Sequence, residues 1–547
     1  MLPVSDSSSH GASGIPGWRA RAVSSVSACA LIECLAFAYV AVVFPALDGF
    51  YAIDRFRAIG VNVQGHLGPA EVLRQAVFIL EYAFAVFMLY AATRLGRWRS
   101  TGVLALFVPL LTLDLAAHAI YGRPAGIGNI SALNASATML GAALQEYGSI
   151  IAAAAGKALL LVAPLVVKAW IGHERRWSFV CPLLLAAALT AMYGTILVKR
   201  GPPALIGFPK GFSYALGSVY LKLNDVIGRP RRVPAQPMTA PEYPDIRNVV
   251  VVVDESVEYG YFSRVLDAGK SRYADFGLAY SGANCSAASN YILRKALWSR
   301  SDRGRLGIAR TDSLFALARR AGYVVTYIDN QGVLSDPTTR NYIDAKELGD
   351  IDRVVENEGP PYERDATAVQ QIAVLARTGR NFIFVNKNGA HFPYPASVAP
   401  DRATGDRVAD YTTSVRVNAA DFLLALQDAV PADTMVFYTS DHGQSLTTRA
   451  THCNTGAETT AQEFRVPFLV LATNAGPAQQ LQQAATLQRG RLTHLEFSES
   501  VRRVLGYRIP GMGSIFDARA AQAGFCGLYG SPKVFFGMLP ECRVLVR

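Results

Sequence analysis

The chain has 547 residues, of which 51% are hydrophobic and only 17% are charged. A soluble chain usually carries about 25% charged residues, and the shortfall here is concentrated in roughly the first 200 residues. This uneven distribution excludes an all-soluble enzyme, a disordered chain and a small disulfide-rich scaffold. It predicts a membrane anchor joined to a folded domain.

The net charge of +11 does not by itself indicate nucleic-acid binding. Basic residues cluster beside apolar segments, as with Arg94, Arg97 and Arg99 and with the pair Arg175 and Arg176. Such clusters are typical of short cytoplasmic loops in membrane proteins. Because the sequence has no basic stripe interleaved with aromatic residues, we predict that the chain binds no nucleic acid.

Five apolar stretches are each long enough to cross a bilayer as a helix, which takes about 20 residues. They cover residues 22–47, 73–92, 101–121, 147–170 and 177–198. The first stretch follows a polar tail and lacks a small-residue cleavage site, which is typical of a signal anchor rather than a removed signal peptide. We therefore predict a cytoplasmic tail at 1–21 and a five-helix transmembrane domain at 22–198.

The positions of the short basic loops predict the orientation of these helices. Basic residues precede the first stretch and also lie in the links between the second and third and between the fourth and fifth. All three groups lie on the cytoplasmic side if the N-terminus is cytoplasmic. Five crossings then place the C-terminal region in the periplasm, with the chain in the inner membrane. Lys199 and Arg200, which follow the fifth stretch, argue against this orientation.

Four ionisable residues lie within the predicted spans: Glu33, Glu81, Asp114 and Lys157. Charges in hydrocarbon are costly, so they usually pair with each other or mark a functional site. Two interpretations remain open for them. One is an ion pair between Lys157 and a carboxylate that holds the helices together, and the other is a site for a lipid headgroup.

Residues 199–244 connect the apolar region to the rest of the chain. They contain a weakly amphipathic patch at 212–226 and a proline-rich segment at 229–244. This composition predicts a helix lying on the membrane surface, followed by an extended linker.

Residues 245–547 show alternating strand and helix patterns. Apolar, β-branched runs occur at 248–253, 323–328, 381–385, 435–438 and 466–471, and helical patterns at 311–320, 366–377, 408–428 and 493–505. The alternation favours an α/β domain with a mostly parallel sheet between two layers of helices. In such folds ligands bind at the carboxyl ends of the strands.

Acidic residues and a histidine follow two of these strands. The first strand leads into Asp254 and Glu255, and the strand at 435–438 leads into Asp441 and His442. Buried carboxylates need a counter-charge, and a carboxylate next to an imidazole is a suitable ligand set for zinc. A simple turn-capping role for Asp254 and Glu255 is the alternative.

Two further histidines and a small-residue turn complete the pattern. His391 follows the strand at 381–385, and His452 comes ten residues after His442. The small polar segment 281–290 precedes a helical pattern, and a helix N-terminus favours anions. A hydroxyl at that position, bound to a metal, loses its proton more readily and can attack phosphorus.

The ordered set Asp-Glu-Ser (254–256), the small-residue turn, Gly-Ala-His (389–391), Ser-Asp-His-Gly (440–443) and the late His452 resembles the alkaline phosphatase/sulfatase superfamily. With five helices in front, the chain specifically resembles the membrane-anchored phosphoethanolamine transferases. It is similar, more distantly, to the phosphoglycerol transferases. The resemblance covers essentially the whole chain.

This resemblance implies a role for each matching residue. Glu255, Asp441 and His442 match zinc ligands, with Asp254 as a further possible ligand, and Ser286 lies where the family has a metal-bound nucleophilic threonine. His391 and His452 match histidines that bind the transferred phosphate or a second zinc ion and protonate the leaving group. Asn330 resembles a residue of a loop near the substrate. The implied cofactor is zinc, as one or two ions, with another divalent cation as the alternative.

Three departures from the family pattern qualify these expectations. Serine replaces threonine at position 286, which preserves the hydroxyl chemistry. The segment 285–289 lacks the Cys-x-Pro-x-Arg signature of sulfatases, which disfavours sulfate-ester hydrolysis. The Gly-Ala-His-Phe-Pro-Tyr segment at 389–394 resembles the phosphoglycerol transferases more closely than the lipid A enzymes, so the donor headgroup stays open.

Four cysteines lie outside the predicted spans: Cys285, Cys453, Cys526 and Cys542. Four cysteines allow three pairings, and the sequence does not choose among them. A Cys526–Cys542 bridge is one possibility. A Cys285–Cys453 bridge would brace the site, because each of these cysteines neighbours a proposed site residue.

The sequence therefore predicts a phosphotransferase that uses a membrane phospholipid as donor and a surface glycan or a lipid A-like molecule as acceptor, and that acts as a monomer. One alternative is a membrane-tethered phosphodiesterase or sulfatase, in which water is the acceptor. The other is a non-catalytic scaffold that retains the fold.

Overall fold

The computed structural model describes residues 17–47, 69–121, 137–171, 237–296, 312–332, 343, 345–448, 450–454, 459–517, 525–528 and 542–545. The chain divides into two compact units. One contains helices of the N-terminal region, and the other contains an α/β sheet domain.

Four helices form the described part of the N-terminal region. They are α1 (Gly17–Leu47), α2 (Pro69–Ala92), α3 (Arg97–Tyr121) and α4 (Ala137–Ile171). Among the described residues, two stretches are long and apolar enough to cross a membrane, Arg97–Ile120 and Leu144–Ile171. Shorter apolar helical stretches cover Leu31–Leu47 and Phe78–Ala92. The five-span prediction is thus not confirmed, and its fifth stretch, 177–198, lies outside the described residues.

The ion pair of the N-terminal helices differs from the predicted one. Lys168 Nζ lies 2.8 Å from Glu33 Oε1, and the same ammonium donates to Thr93 Oγ1 at 3.0 Å. Lys157, which one of the two open interpretations paired with a carboxylate, is exposed. The partner of Glu33 comes instead from the last turn of α4, where Lys168 is 7% exposed.

The α/β domain contains an eight-stranded sheet and a separate pair of short strands. The large sheet comprises β1 (Asn248–Asp254), β2 (Ala274–Tyr280), β3 (Val324–Asp329), β4 (Arg353–Glu356), β5 (Asn381–Asn386), β6 (Thr434–Ser440), β7 (Arg465–Ala472) and β8 (Leu492–Thr493). The small pair is β9 (Cys526–Leu528) with β10 (Cys542–Val544). All five predicted strands are present, and β2, β4 and β8 are additional.

The strand order of the large sheet is β4-β3-β5-β1-β6-β7-β2-β8. Strand β1 pairs in parallel with β5 and β6, with Val251 opposite Phe384 and Phe437. Strand β7 is antiparallel to both of its neighbours. The sheet is therefore mixed but mostly parallel, so the carboxyl ends of β1, β2, β3, β5 and β6 lie along one edge.

Helices cover this sheet. They are α5 (Tyr259–Val265), α6 (Ser286–Lys295), α7 (Leu314–Arg320), α8 (Ala345–Gly349), α9 (Pro361–Leu375), α10 (Arg407–Ser414), α11 (Phe422–Ala429), α12 (Ala475–Gln488) and α13 (His494–Val504). A π-helical segment, Val415–Asp421, joins α10 to α11 without a break. The long helical pattern predicted at 408–428 is thus present, with a change of pitch in its centre.

The alternating residues of β1 show why the sheet is buried on both faces. Val249, Val251 and Val253 pack in one hydrophobic cluster, and Val250 and Val252 pack in a second. A strand that is apolar on both sides is typical of a parallel sheet covered by two layers of helices. The first polar side chains after such a strand lie at the sheet edge, which is where the candidate site forms.

Candidate functional site

Three side chains at the sheet edge form a compact group of potential metal ligands. Glu255 follows β1, and Asp441 and His442 follow β6, the neighbouring strand. Their ligand atoms all lie within 4.8 Å of one another, and all three residues are buried. His442 Nε2 is 3.5 Å from Glu255 Oε1 and 3.5 Å from Asp441 Oδ2.

The donor atoms of this group fit a divalent cation. Asp441 Oδ2 is buried and has no hydrogen-bond partner among the described residues. His442 Nδ1 donates to the carbonyl of Gly443 at 2.8 Å, which leaves a lone pair on Nε2, on the side of the carboxylates. Two carboxylate oxygens and one imidazole nitrogen are a suitable zinc set.

The electrostatics of the group also favour a cation. Burial and the neighbouring Glu255 carboxylate raise the pKa of Asp441 well above its ordinary value. Burial alone would raise the pKa of Glu255 too, but electrostatic interactions with the surrounding imidazoles and a hydrogen bond from Ser256 outweigh it and lower this pKa to about 2. Two close carboxylates in a buried site repel each other, and a bound cation removes that penalty.

Ser286 places a hydroxyl beside this group, as does Ser256, whose Oγ donates to Glu255 Oε1 at 2.8 Å. Ser286 Oγ lies 3.0 Å from His442 Nε2 and 3.2 Å from Glu255 Oε1, and the side chain is buried. Ser286 begins helix α6, whose first backbone N–H groups have no partner within the helix. The predicted nucleophile therefore lies at a helix end that favours negative charge.

The two other predicted histidines lie around the same point. The ring of His452 stacks on the ring of His442 with a centroid separation of 4.6 Å, and Thr451 Oγ1 lies 3.1 Å from His452 Nδ1. His391 is half-buried and interacts electrostatically with Glu255. The structure thus brings together six of the residues that the sequence singled out: Glu255, Ser286, His391, Asp441, His442 and His452.

Residues 247–507 match the sulfatase family. This chain contains a sulfatase-family domain. None of the curated protein sequences that were compared matches the chain.

Solved structures extend this likeness. The chain is similar to the integral membrane protein lipooligosaccharide phosphoethanolamine transferase A from Neisseria meningitidis, with 17% identity, a TM-score of 0.53, and coverage of 87% of this chain and 95% of that one. It is also similar to the C-terminal periplasmic domain of EcEptC from Escherichia coli in complex with Zn, with 14% identity, a TM-score of 0.43, and coverage of 55% and 94%. At such identities, the first likeness shows a shared fold.

Two residues predicted for the site of the sulfatase-family domain have other partners. The Asp254 carboxylate accepts from Lys387 Nζ and from Tyr438 Oη, both at 2.8 Å. It also accepts from the Glu255 backbone N–H at 3.0 Å. These donors contact both oxygens, and Asp254 lies outside the group formed by Glu255, Asp441 and His442. Its role as a further metal ligand stays a prediction.

Asn330 is the second of these residues. It is fully buried, its Nδ2 donates to Asp365 Oδ1 at 2.7 Å, and its Oδ1 accepts from Asn357 Nδ2 at 2.8 Å. This buried amide bonds to side chains within the domain on both its nitrogen and its oxygen, and the predicted substrate contact stays a prediction. The next residue, Gln331, donates from Nε2 to Glu255 Oε2 at 3.0 Å and reaches the site instead.

His494 is a residue that sequence reasoning missed. It begins α13, is fully buried, and lies 2.9 Å from the carbonyl of Ser440 through Nε2. Its Nδ1 accepts from the Gly282 backbone N–H at 3.3 Å and lies 3.2 Å from Ser289 Oγ. His494 thus connects the end of β6 to both sides of the Ser286 turn. Its position at the start of a predicted helix was the available signal.

A disulfide joins Cys285 to Cys453. This is the pairing that would brace the site, since Cys285 precedes Ser286 and Cys453 follows His452. Cys526 is also disulfide-bonded, and its strand pairs with the strand that begins at Cys542. The side chain of Cys542 lies outside the described residues, so the Cys526–Cys542 bridge stays a prediction.

Proposed function

We propose that this chain transfers the phosphate headgroup of a membrane phospholipid, phosphoethanolamine or phosphoglycerol, to a surface glycan or a lipid A-like acceptor. The observation that carries the proposal is the position of Ser286. Its hydroxyl lies at a helix N-terminus and within 3.2 Å of two of the three potential metal ligands. The likeness to a phosphoethanolamine transferase supports the class of reaction.

Glu255, Asp441 and His442 would hold a zinc ion, with Ser286 beside them. Bound zinc would act as a Lewis acid that lowers the pKa of a neighbouring hydroxyl. The helix end at Ser286 offers backbone N–H groups to the phosphoryl oxygens. His391 and His452, which lie near Glu255 and His442, would exchange protons with the reacting oxygens.

The proposed reaction has two steps. In the first, a bond forms between Ser286 Oγ and phosphorus, and the bond between phosphorus and the diacylglycerol oxygen breaks. An imidazole of His391 or His452 accepts the serine proton and returns it to the leaving oxygen. In the second, the acceptor hydroxyl attacks phosphorus and loses its proton to the same pair, while Ser286 regains a proton as its bond to phosphorus breaks.

The proposed donor and acceptor lie in or beside a membrane. The apolar N-terminal helices would anchor the catalytic domain there. We propose that the chain lies in the inner membrane, that residues 245–547 form the catalytic domain in the periplasm, and that the protein acts as a monomer. A membrane anchor keeps the site within reach of lipid headgroups and raises their effective concentration.

The test is the intact mass of the purified chain after incubation with phosphatidylethanolamine or phosphatidylglycerol, with Ser286→Ala as the control. We expect the mass of one headgroup phosphate to be added by one lipid and to be absent in the variant. An adduct that survives Ser286→Ala contradicts the assignment of the nucleophile. If free headgroup phosphate accumulates without transfer to any acceptor, the domain is a phosphodiesterase.

A further inference from the structure

A buried ion network lies directly behind the candidate site. Lys387 follows β5 and is 0% exposed, and its Nζ lies 2.8 Å from Asp254 Oδ2 and 3.7 Å from Asp365 Oδ2. The same ammonium donates to the carbonyl of Asn418 and lies 4.0 Å from the centre of the Phe422 ring. We call Lys387, Asp254 and Asp365 the buried ion network.

Burying the three charged side chains of this network has a high desolvation cost. Moving charges out of water costs several kcal/mol per ion, and a well-packed apolar replacement is often as stable. Here two carboxylates share one ammonium, and the exposed fractions of all three side chains are 2% or less. Stability alone therefore gives a weak reason for its presence.

Asp254 connects the network to the potential metal ligands. Its Oδ1 accepts from the backbone N–H of Glu255 at 3.0 Å, and its carbonyl accepts from the backbone N–H of Asp441 at 2.8 Å. The backbone N–H groups of two of the three ligands, Glu255 and Asp441, are thus bonded directly to Asp254.

Asp365 connects the network to the loop that carries His391. Its carboxylate accepts from the backbone N–H groups of Asn388 and Gly389, at 3.0 Å and 2.9 Å. Gly389 has φ +55°, and a Cβ there would lie 2.2 Å from Asp254 Oδ1. The loop therefore lies directly against the end of β1, and only glycine fits at this contact.

We propose that Lys387 is a positioning residue that sets the metal ligands Glu255 and Asp441 relative to the loop of His391. It does so by holding two carboxylates. That of Asp254 accepts from the backbone N–H of Glu255, while the main-chain carbonyl of the same residue accepts from Asp441. That of Asp365 accepts from the backbone N–H groups of Asn388 and Gly389. This inference rests on the proposed function of the same site. It assigns Asp254 a role in geometry rather than in coordination.

The test compares Lys387→Met, Asp254→Asn and the double variant with the wild type, using the full-length chain in detergent. Zinc affinity is measured by competition with a chromophoric chelator, and headgroup transfer by kcat and KM. We expect Lys387→Met to weaken zinc binding about tenfold and to lower kcat at least about tenfold, with KM changed less than about threefold. Asp254→Asn keeps the shape of the side chain. We expect it to lower zinc affinity and kcat as well, but less than Lys387→Met does.

The double variant distinguishes a positioning pair from independent defects. Lys387→Met leaves two buried carboxylates without their shared cation, and Asp254→Asn removes one of these two charges. The double variant is therefore less impaired in zinc binding than Lys387→Met alone. The control is Arg503→Met, which removes another largely buried cation, the partner of Asp517 and Glu499. We expect it to lower the melting temperature without changing zinc affinity or kcat.

Three results would overturn the inference. A folded Lys387→Met variant with zinc affinity and kcat within about twofold of the wild type would reduce the network to a stability element. If that variant does not fold, wild-type values in Asp254→Asn lead to the same conclusion. A wild-type chain that binds no zinc overturns this inference and the proposed function together. A wild-type chain that binds zinc but transfers no headgroup refutes the proposed function alone, and the zinc affinities still decide the role of Lys387.

Discussion

The chemistry of the candidate site depends on the surroundings of Ser286. An ordinary serine hydroxyl is a weak nucleophile that needs a base or a metal to activate it. Here the hydroxyl lies between an imidazole and a carboxylate, at distances of 3.0 Å and 3.2 Å. In this geometry the hydroxyl of Ser286 is the proposed nucleophile. Two substitutions test it, one that removes the hydroxyl and one that keeps it.

Ser286→Ala removes the hydroxyl, and we expect transfer to fall by about three orders of magnitude or more. Zinc affinity should stay within about tenfold, because Glu255, Asp441 and His442 remain. Ser286→Thr keeps the hydroxyl and should retain measurable transfer. Headgroup transfer and zinc content of the three proteins check this. Equal loss of transfer in both variants would contradict a nucleophilic role for the hydroxyl.

His494 predicts a pH dependence of stability. Burial lowers the pKa of this imidazole to about 3, whereas an unfolded chain has a histidine pKa of about 6.5. The unfolded state therefore binds more protons between these two pH values. The contribution of the neutral His494 to the free energy of unfolding is therefore complete above about pH 6.5. Below that pH the free energy of unfolding falls by about 1.4 kcal/mol per pH unit, so the loss is about 2 kcal/mol at about pH 5.

Thermal unfolding of the wild type and of His494→Gln at about pH 7.5 and about pH 5 tests this dependence. The variant should be less stable than the wild type at the higher pH, because the bonds to Ser440 and Gly282 are altered. The decrease in melting temperature between the two pH values should be smaller in the variant. The same decrease in both proteins would show that His494 does not titrate on unfolding.

At the scale of elements, the site is made by loops that follow neighbouring strands. β1 and β6 pair in parallel over their whole length, which brings Glu255 beside Asp441. β5 pairs with the other side of β1 and brings the His391 loop. The turn that carries Ser286 follows β2, which lies on the far side of β7, so other bonds must hold it. They include the His494 contacts and the Cys285–Cys453 disulfide.

The disulfide gives the prediction at this scale. It closes a sequence separation of 168 residues, and native disulfides typically contribute about 2–4 kcal/mol. We expect Cys285→Ser with Cys453→Ser to lower the melting temperature and to reduce transfer, because the Ser286 turn and the His452 loop are no longer joined. Thermal unfolding and transfer, each with and without reductant, check this.

Cys34 provides the matched control, since it is a free, exposed cysteine. Cys34→Ser should behave like the wild type and should lose transfer on reduction. The double variant keeps only the disulfide at Cys526, so its transfer should change less on reduction. Full transfer by the double variant would show that the disulfide does not maintain the site.

At the scale of the whole molecule, the two units differ in where their apolar side chains lie. The described N-terminal helices expose large apolar side chains such as Leu73, Leu80 and Leu106, which suits a lipid environment. The sheet domain buries its apolar residues in two clusters on either side of the sheet, as water-soluble α/β domains do. Together these two features support the proposed location at a membrane surface.

The prediction at this scale is the topology. We expect protease added to spheroplasts of a diderm bacterium to degrade residues 245–547 while an N-terminal tag stays protected. The physical reason is the placement of basic residues in short loops on one side. A protected catalytic domain in intact spheroplasts that becomes sensitive only after lysis would reverse the orientation.

Much of the architecture could be predicted from the sequence, because apolar periodicity is a local property. The valines of β1 and the apolar runs of β3, β5, β6 and β7 predicted five strands that are present. β2 was missed because Asp275 and Gly277 interrupt its alternation, and the strand has a register shift there. β4 was missed because it is a short edge strand with largely exposed residues.

The sequence by itself predicted the chemical inventory of the candidate site. Glu255, His391, Asp441 and His442 come after strands, Ser286 begins a helix, and His452 lies in the loop after His442. Only the tertiary structure distinguished between residues that are adjacent in the chain. Asp254 and Glu255 look alike in the sequence, yet Asp254 faces Lys387, which lies 133 positions away, and Glu255 faces His442. Likewise Gln331 bonds to Glu255, while Asn330 bonds to Asp365 and Asn357. Adjacent side chains at a strand end point to opposite sides, and the partners on each side come from distant parts of the chain.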